Sequence, residues 1–156
     1  MPAPHTQVEP IRLSATVPQP VADAFRLFTE GIASWWPLHE GFSYGGARAR
    51  EVYLEPVVGG RFYERYTDGQ EFEVGRVIAC DPPERIVFTW RGAASAATEV
   101  EVRFVAQGLW TRVDIEHRGW ERLAPSERDR RTAFGNGWPT VLARFSSAAV
   151  TLGRRV

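Results

Sequence analysis

Between residues 49 and 118 the chain runs through six strand-like segments with almost nothing between them, and that spacing rules out most folds. The segments lie at roughly 49–55, 60–67, 70–80, 85–91, 98–106 and 109–118. Each break carries turn residues: Gly59-Gly60, Asp68-Gly69, Asp81-Pro82-Pro83, an Ala/Ser stretch at 93–97, and Gln107-Gly108. A parallel crossover needs a dozen or more residues, so these strands must pair as antiparallel hairpins.

A seventh strand precedes them. Ile11, Leu13, Ala15 and Val17 alternate with Arg12, Ser14 and Thr16, the pattern of a half-buried strand. Pro18 and Pro20 end it, and Val21, Ala24, Phe25 and Phe28 then recur at helical spacing. A second short helical piece carries Ile32, Trp35 and Trp36 up to Pro37, and Ser126 is placed to cap another. After Gly137, an apolar stripe (Trp138, Val141, Leu142, Phe145, Ala148, Ala149, Leu152) predicts a C-terminal helix with Pro139 in its first turn. Seven antiparallel strands with one segregated long helix and two short helices after the first strand make an α+β domain. A single domain over 8–156 is expected, with residues 1–7 as a flexible lead.

Composition narrows the function. Nineteen basic and nineteen acidic residues balance, and all the basic ones are arginine, so no global field attracts nucleic acid or anionic lipid. One cysteine, Cys80, permits no intrachain disulfide, and His5, His39 and His117 lack metal-ligand spacing. No cofactor or metal is expected. With no spanning apolar run and no signal-like start, a cytoplasmic monomer or homodimer is the expectation.

Turn positions then assign faces. A two-residue Asp68-Gly69 turn sets Tyr66 against Glu71, Glu64 against Glu73, and Phe62 against Gly75. Closing Cys80 on Arg85 sets Val77 against Phe88 and Gly75 against Trp90; a Gln107-Gly108 turn sets Thr98 against His117 and Val102 against Val113. One face collects Phe62, Gly75, Val77, Phe88, Trp90, Val100, Val102, Phe104, Val113 and Ile115. Arg61, Arg65, Arg76, Arg85, Glu99, Glu101, Arg103, Arg112, Asp114 and Glu116 fall on the other, solvated face. Gly75 beneath Trp90 reads as room for an indole, and a bulge in the 70–80 strand would shift this assignment by one.

Glu64, Glu73 and His117 fall on the apolar side. Facing carboxylates repel unless a cation or a shared proton intervenes. Either they reach water or arginine at the rim, or they form a polar end to an apolar pocket and serve as acid–base groups. His117 reads as a buried histidine satisfied by Thr98 or a backbone carbonyl. Trp35, Trp36, Phe62, Gly75, Val77, Phe88, Trp90, Val102, Trp138 and Leu142 are the candidate cavity residues, with the glycine-rich loop 38–47 as the mouth.

The ordered set Val17-Pro-Gln-Pro-Val-Ala-Asp-Ala-Phe, Trp35-Trp36-Pro37, Gly59-Gly60-Arg61-Phe62-Tyr63-Glu64, Asp81-Pro82-Pro83-Glu84-Arg85 through Trp90, Glu116-His117-Arg118-Gly119-Trp120 and Gly137-Trp138 resembles the START-like (SRPBCC) superfamily. Within it, the resemblance is to the branch named after the activator of heat-shock-chaperone ATPase. It covers roughly residues 8 to 152 and implies a helix-grip fold: a seven-stranded sheet around a C-terminal helix, with a cavity between. Members carry lipids, bind hormones, cyclise polyketides or assist chaperones. Binding of a small hydrophobic molecule is therefore the first expectation. A cyclase- or hydrolase-type enzyme using Glu64, Glu73 and His117, and a protein partner of co-chaperone type, are the alternatives. The additional chaperone-engaging domain of the eukaryotic activator is not expected in these residues.

Overall fold

A computed structural model describes residues 8–153, and the expectations for residues 1–7 and 154–156 lie outside it. The strands are β1 (Ile11–Val17), β2 (Ala49–Leu54), β3 (Arg61–Tyr66), β4 (Glu71–Asp81), β5 (Arg85–Trp90), β6 (Thr98–Gln107) and β7 (Trp110–Arg118). They form one seven-stranded sheet in the order β1-β7-β6-β5-β4-β3-β2, with every neighbouring pair antiparallel. The helices are α1 (Val21–Phe28) and α2 (Arg130–Gly153), with short 3₁₀ turns at Ile32–Ser34, Gly46–Arg48, Trp120–Arg122 and Pro125–Glu127. This is the α+β helix-grip architecture.

The concave face buries what alternation assigned to it: Phe62, Val77, Phe88, Val100, Val102, Phe104, Val113 and Ile115 are all buried. Helix α2 lies against that face through Trp138, Val141, Leu142, Phe145 and Ala149. At one end α1 closes the core, where Phe25 and Phe28 meet Phe104 edge-on (5.3 and 5.8 Å) and Phe28 and Trp35 meet Phe145 (5.3 and 5.2 Å).

The registers differ from expectation in an instructive way. The β3–β4 loop holds three residues, Thr67-Asp68-Gly69, because Tyr66 N–H donates to the Gln70 carbonyl and Asp68 Oδ1 accepts the Gln70 N–H. That slips the pairing by one. A bulge at Val74 slips it back, so Phe62 still faces Gly75 while Glu64 faces Phe72 rather than Glu73. The β4–β5 hairpin slips in the opposite sense: Asp81, not Cys80, pairs with Arg85, leaving a loop of three residues in place of four, and an irregularity at Ile78 restores Val77 opposite Phe88. The β6–β7 turn is Gly108-Leu109, with Gly108 at φ 68° in the first position, where a primed turn needs it. Val100, not Thr98, therefore pairs with His117, and Val102 pairs with Ile115. The shift is two residues, so no side chain changed face.

Three further expectations are corrected. Helix α2 begins at Arg130, not beyond Gly137, so Pro139 lies in its interior. Gly137 is tolerated there because its bare Cα is packed on: a Cβ would sit 2.9 Å from Phe42 Cε1. Ser126 lies inside a 3₁₀ turn whose capping position is Ala124. Gly75 answers to backbone, not to an indole: a Cβ there would lie 1.7 Å from the Thr89 carbonyl oxygen.

Candidate functional site

At the end of the sheet opposite α1, sheet and helix do not close on each other. They leave a cavity of about 320 Å³ between β2–β5, the first turns of α2 and the loop 41–44. Its wall is aromatic. Trp36 meets Phe62 (5.7 Å), Trp90 (6.0 Å) and Trp138 (6.5 Å), and Trp90 meets Phe62 and Phe134 edge-on at 5.1 Å each. Val52, Val74 and Val141 fill between the rings. The bulge is what turns Val74 inward beside Phe72.

The loop 41–46 forms a strap across the mouth, held at several points. Trp36 Nε1–H donates to the Phe42 carbonyl (2.9 Å). The Glu64 carboxylate accepts the Tyr44 N–H (2.8 and 3.0 Å to its two oxygens) and the Gly45 N–H (3.1 Å). The Tyr44 ring lies on Phe72 (4.9 Å), and its hydroxyl accepts the Trp90 Nε1–H at 2.9 Å. Burial raises the Glu64 carboxyl above its ordinary value, and the backbone N–H groups of Tyr44 and Gly45 only partly offset this. Burial likewise raises the Tyr44 phenol, against the Trp90 N–H and the nearby Arg130 charge.

Of the residues expected at the cavity, Trp36, Phe62, Trp90, Trp138 and Glu64 line it. Trp35, Val77, Phe88, Val102 and Leu142 are buried in the closed core instead, and Gly75 is packed under β5. Glu73 points outward to Arg76, at 2.9 Å. His117 is sealed behind the wall. Its Nδ1 accepts the Trp138 Nε1–H at 3.0 Å, so the ring proton sits on Nε2 and donates to Thr98 Oγ1 at 2.7 Å. Thr98 in turn donates to the Trp90 carbonyl (3.1 Å), and the His117 carbonyl accepts the Trp120 Nε1–H (2.9 Å). Burial pushes the His117 pKa down to about 3, so the imidazole is neutral and joins Trp90, Trp120 and Trp138 into one rigid wall. Glu64, Glu73 and His117 do not converge. Among the described residues no three His, Cys, Asp or Glu side chains come together to hold a metal ion.

Sequence reasoning missed Phe42, Tyr44, Arg130 and Phe134. The two loop residues have no periodicity to reveal them, although the loop itself was placed at the mouth. Phe134 lies four residues before Trp138, a helical spacing hidden by Gly135, Gly137 and Pro139.

Solved structures with this architecture include the self-sacrificing resistance protein CalC from Micromonospora echinospora. It is 32% identical over 90% of this chain and 93% of its own, with a TM-score of 0.68. An anthrahydroquino-gamma-pyrone synthase, Txn09, is 29% identical over 93% of this chain and 99% of its own (TM-score 0.57). Protein MLL2253 from Mesorhizobium loti, 17% identical over 89% and 95% of the two chains with a TM-score of 0.66, shares the fold. No curated protein matches at a significant level. The family model described as Activator of Hsp90 ATPase homolog 1-like protein matches residues 18–149, and the chain belongs to that family, within the START-like superfamily.

Proposed function

We propose that this protein binds a small, mainly aromatic hydrophobic molecule in the cavity between the sheet and α2. The observation that carries the reading is the cavity itself: about 320 Å³ of space walled by Trp36, Phe62, Trp90, Phe134 and Trp138, with few polar groups at the mouth. Apolar walls supply affinity at roughly 25 cal/mol per Å² of buried surface, and the few polar groups set orientation. Similarity to a resistance protein and to a synthase of a fused aromatic product supports the same reading.

Tryptophan fluorescence and thermal unfolding across a panel of fatty acids, flavonoids and aromatic polyketides test it. Quenching with a raised midpoint by at least one aromatic class is expected; silence across the whole panel would overturn the reading. A second reading, catalysis on the bound molecule, has one observation in its favour: Glu64 is a desolvated carboxylate at the cavity wall. In that case Glu64→Gln binds the molecule but does not convert it. The co-chaperone alternative draws on the family's name, and the charges of the convex face are largely spent on one another.

A further inference from the structure

Tyr44 stands out among the cavity residues because its hydrogen-bonding capacity is half used in a defined way. Its oxygen accepts the Trp90 indole N–H at 2.9 Å, and no acceptor among the described residues takes its own proton, which at the mouth, with Tyr44 38% exposed, is left to water until a bound molecule covers it. The neighbouring Glu64 oxygens receive the backbone N–H groups of Tyr44 and Gly45. Trp90 holds the phenol oxygen, Phe72 holds the ring, and Glu64 holds the backbone, so the oxygen is fixed at the mouth by three separate contacts while its proton is free to turn to a ligand. The other lining N–H donors of the tryptophans are committed: Trp36 to the Phe42 carbonyl and Trp138 to His117.

Size sets a second limit. A cavity of about 150 Å³ holds benzene, and this one, at about 320 Å³, has room for a ring system roughly twice that size. Resting on the cavity reading above, we infer that Tyr44 is the specificity-determining residue. Its O–H, carried on an oxygen held in place at the mouth, selects fused two- or three-ring molecules that carry a carbonyl oxygen on their rim. A carbonyl accepts that proton and leaves the rest of the molecule apolar, which matches a wall made mainly of aromatic rings. An analogue that covers this hydroxyl without accepting its proton takes water away from it and leaves it unpaired, which costs affinity.

The test pairs two ligands of one skeleton, 1-tetralone and tetralin, with the wild-type protein and Tyr44→Phe, titrated by calorimetry. Tetralone should lose about three- to tenfold in affinity on Tyr44→Phe, while tetralin, which has nothing to accept the proton, should change by less than about twofold. Tetralin binding, with a cooperative thermal transition whose midpoint is lowered only by the loss of the Trp90–Tyr44 hydrogen bond, shows that the variant is folded. If both ligands weaken equally, or neither weakens, Tyr44 serves only as a strap, and the inference fails while the cavity reading stands. If neither ligand binds the wild-type protein, the cavity reading falls and takes this inference with it.

Discussion

Two buried glutamates show how one residue type takes opposite roles from its surroundings. Glu64 sits at the cavity wall with only backbone N–H groups for company, and burial raises its carboxyl above the ordinary 4.5. The folded state then holds that proton more tightly than the unfolded chain does. Its contribution to stability is greatest below the ordinary value and declines as pH rises through the raised one. Glu101 is also buried, but Arg85, Arg103 and Arg118 surround it at 2.6, 2.7 and 2.6 Å. Burial works to raise its pKa and is outweighed by Arg118, Arg85 and Arg103, so the net shift is downward. Its contribution is present above the ordinary carboxylate value and lost as pH falls through the lowered one. Urea unfolding of Glu64→Gln and Glu101→Gln across the acid-to-neutral range separates the two. The wild-type advantage over Glu64→Gln should shrink as pH rises, whereas the advantage over Glu101→Gln should grow, reaching about 3 kcal/mol at neutral pH. Matching trends would contradict the assignment. For His117, nitrogen NMR should find a neutral ring protonated on Nε2 until pH approaches about 3 or the protein unfolds; an imidazolium at neutral pH would contradict the Trp138–His117–Thr98 chain.

Among the elements, β4 was the most legible in composition and the least legible in register. Alternation places Val77 and Phe88 on the concave face, and turn residues mark both hairpins. The β3–β4 loop, however, holds one residue more than its Asp-Gly signal implies and the β4–β5 loop one fewer than its Asp-Pro-Pro signal implies, and β4 absorbs each offset in an irregularity, at Val74 and at Ile78. The inner face was therefore read correctly through two cancelling slips, while Glu64 and Glu73, on the wrong side of the first bulge, were paired in error. A bulge shifts the alternation by one, from Phe72 and Val74 to Val77 and Ala79, and the glycine at 75 and the apolar run Val77-Ile78-Ala79 blur that change of phase in the sequence. Helix α2 was read short for a related reason: Gly135, Gly137 and Pro139 disfavour helix by local preference, and tertiary packing overrides them. Two substitutions probe these elements. Gly75→Ala should cost more than about 1–3 kcal/mol, because its Cβ meets the Thr89 backbone and not a movable side chain. Leu142→Ala, deleting a buried side chain where α2 meets the sheet, should cost about 2–5 kcal/mol. Chemical denaturation measures both, and a near-neutral Gly75→Ala would show that β4 and β5 are not so closely apposed.

At the scale of the whole molecule, the sheet and α2 form a wedge: Phe25, Phe28, Trp35, Phe104 and Phe145 close one end, and aromatic rings line the other without filling it. The grip itself was legible, since seven antiparallel strands and a terminal apolar helix leave few other arrangements. The split between closed core and open cavity was not, because Trp35 and Trp36 are adjacent in sequence and only packing sends one to each side. The six tryptophans make that split measurable. Trp36, Trp90 and Trp138 line the cavity, and Trp110, 51% exposed, sits at the tip of the β6–β7 hairpin at the far end of the sheet. The most direct test is to follow the indole N–H signals by ¹⁵N NMR while 1-tetralone is titrated in. The account predicts that Trp36, Trp90 and Trp138 shift together and saturate while Trp110 stays still. A shift confined to Trp110, or none in the three cavity indoles, would contradict it.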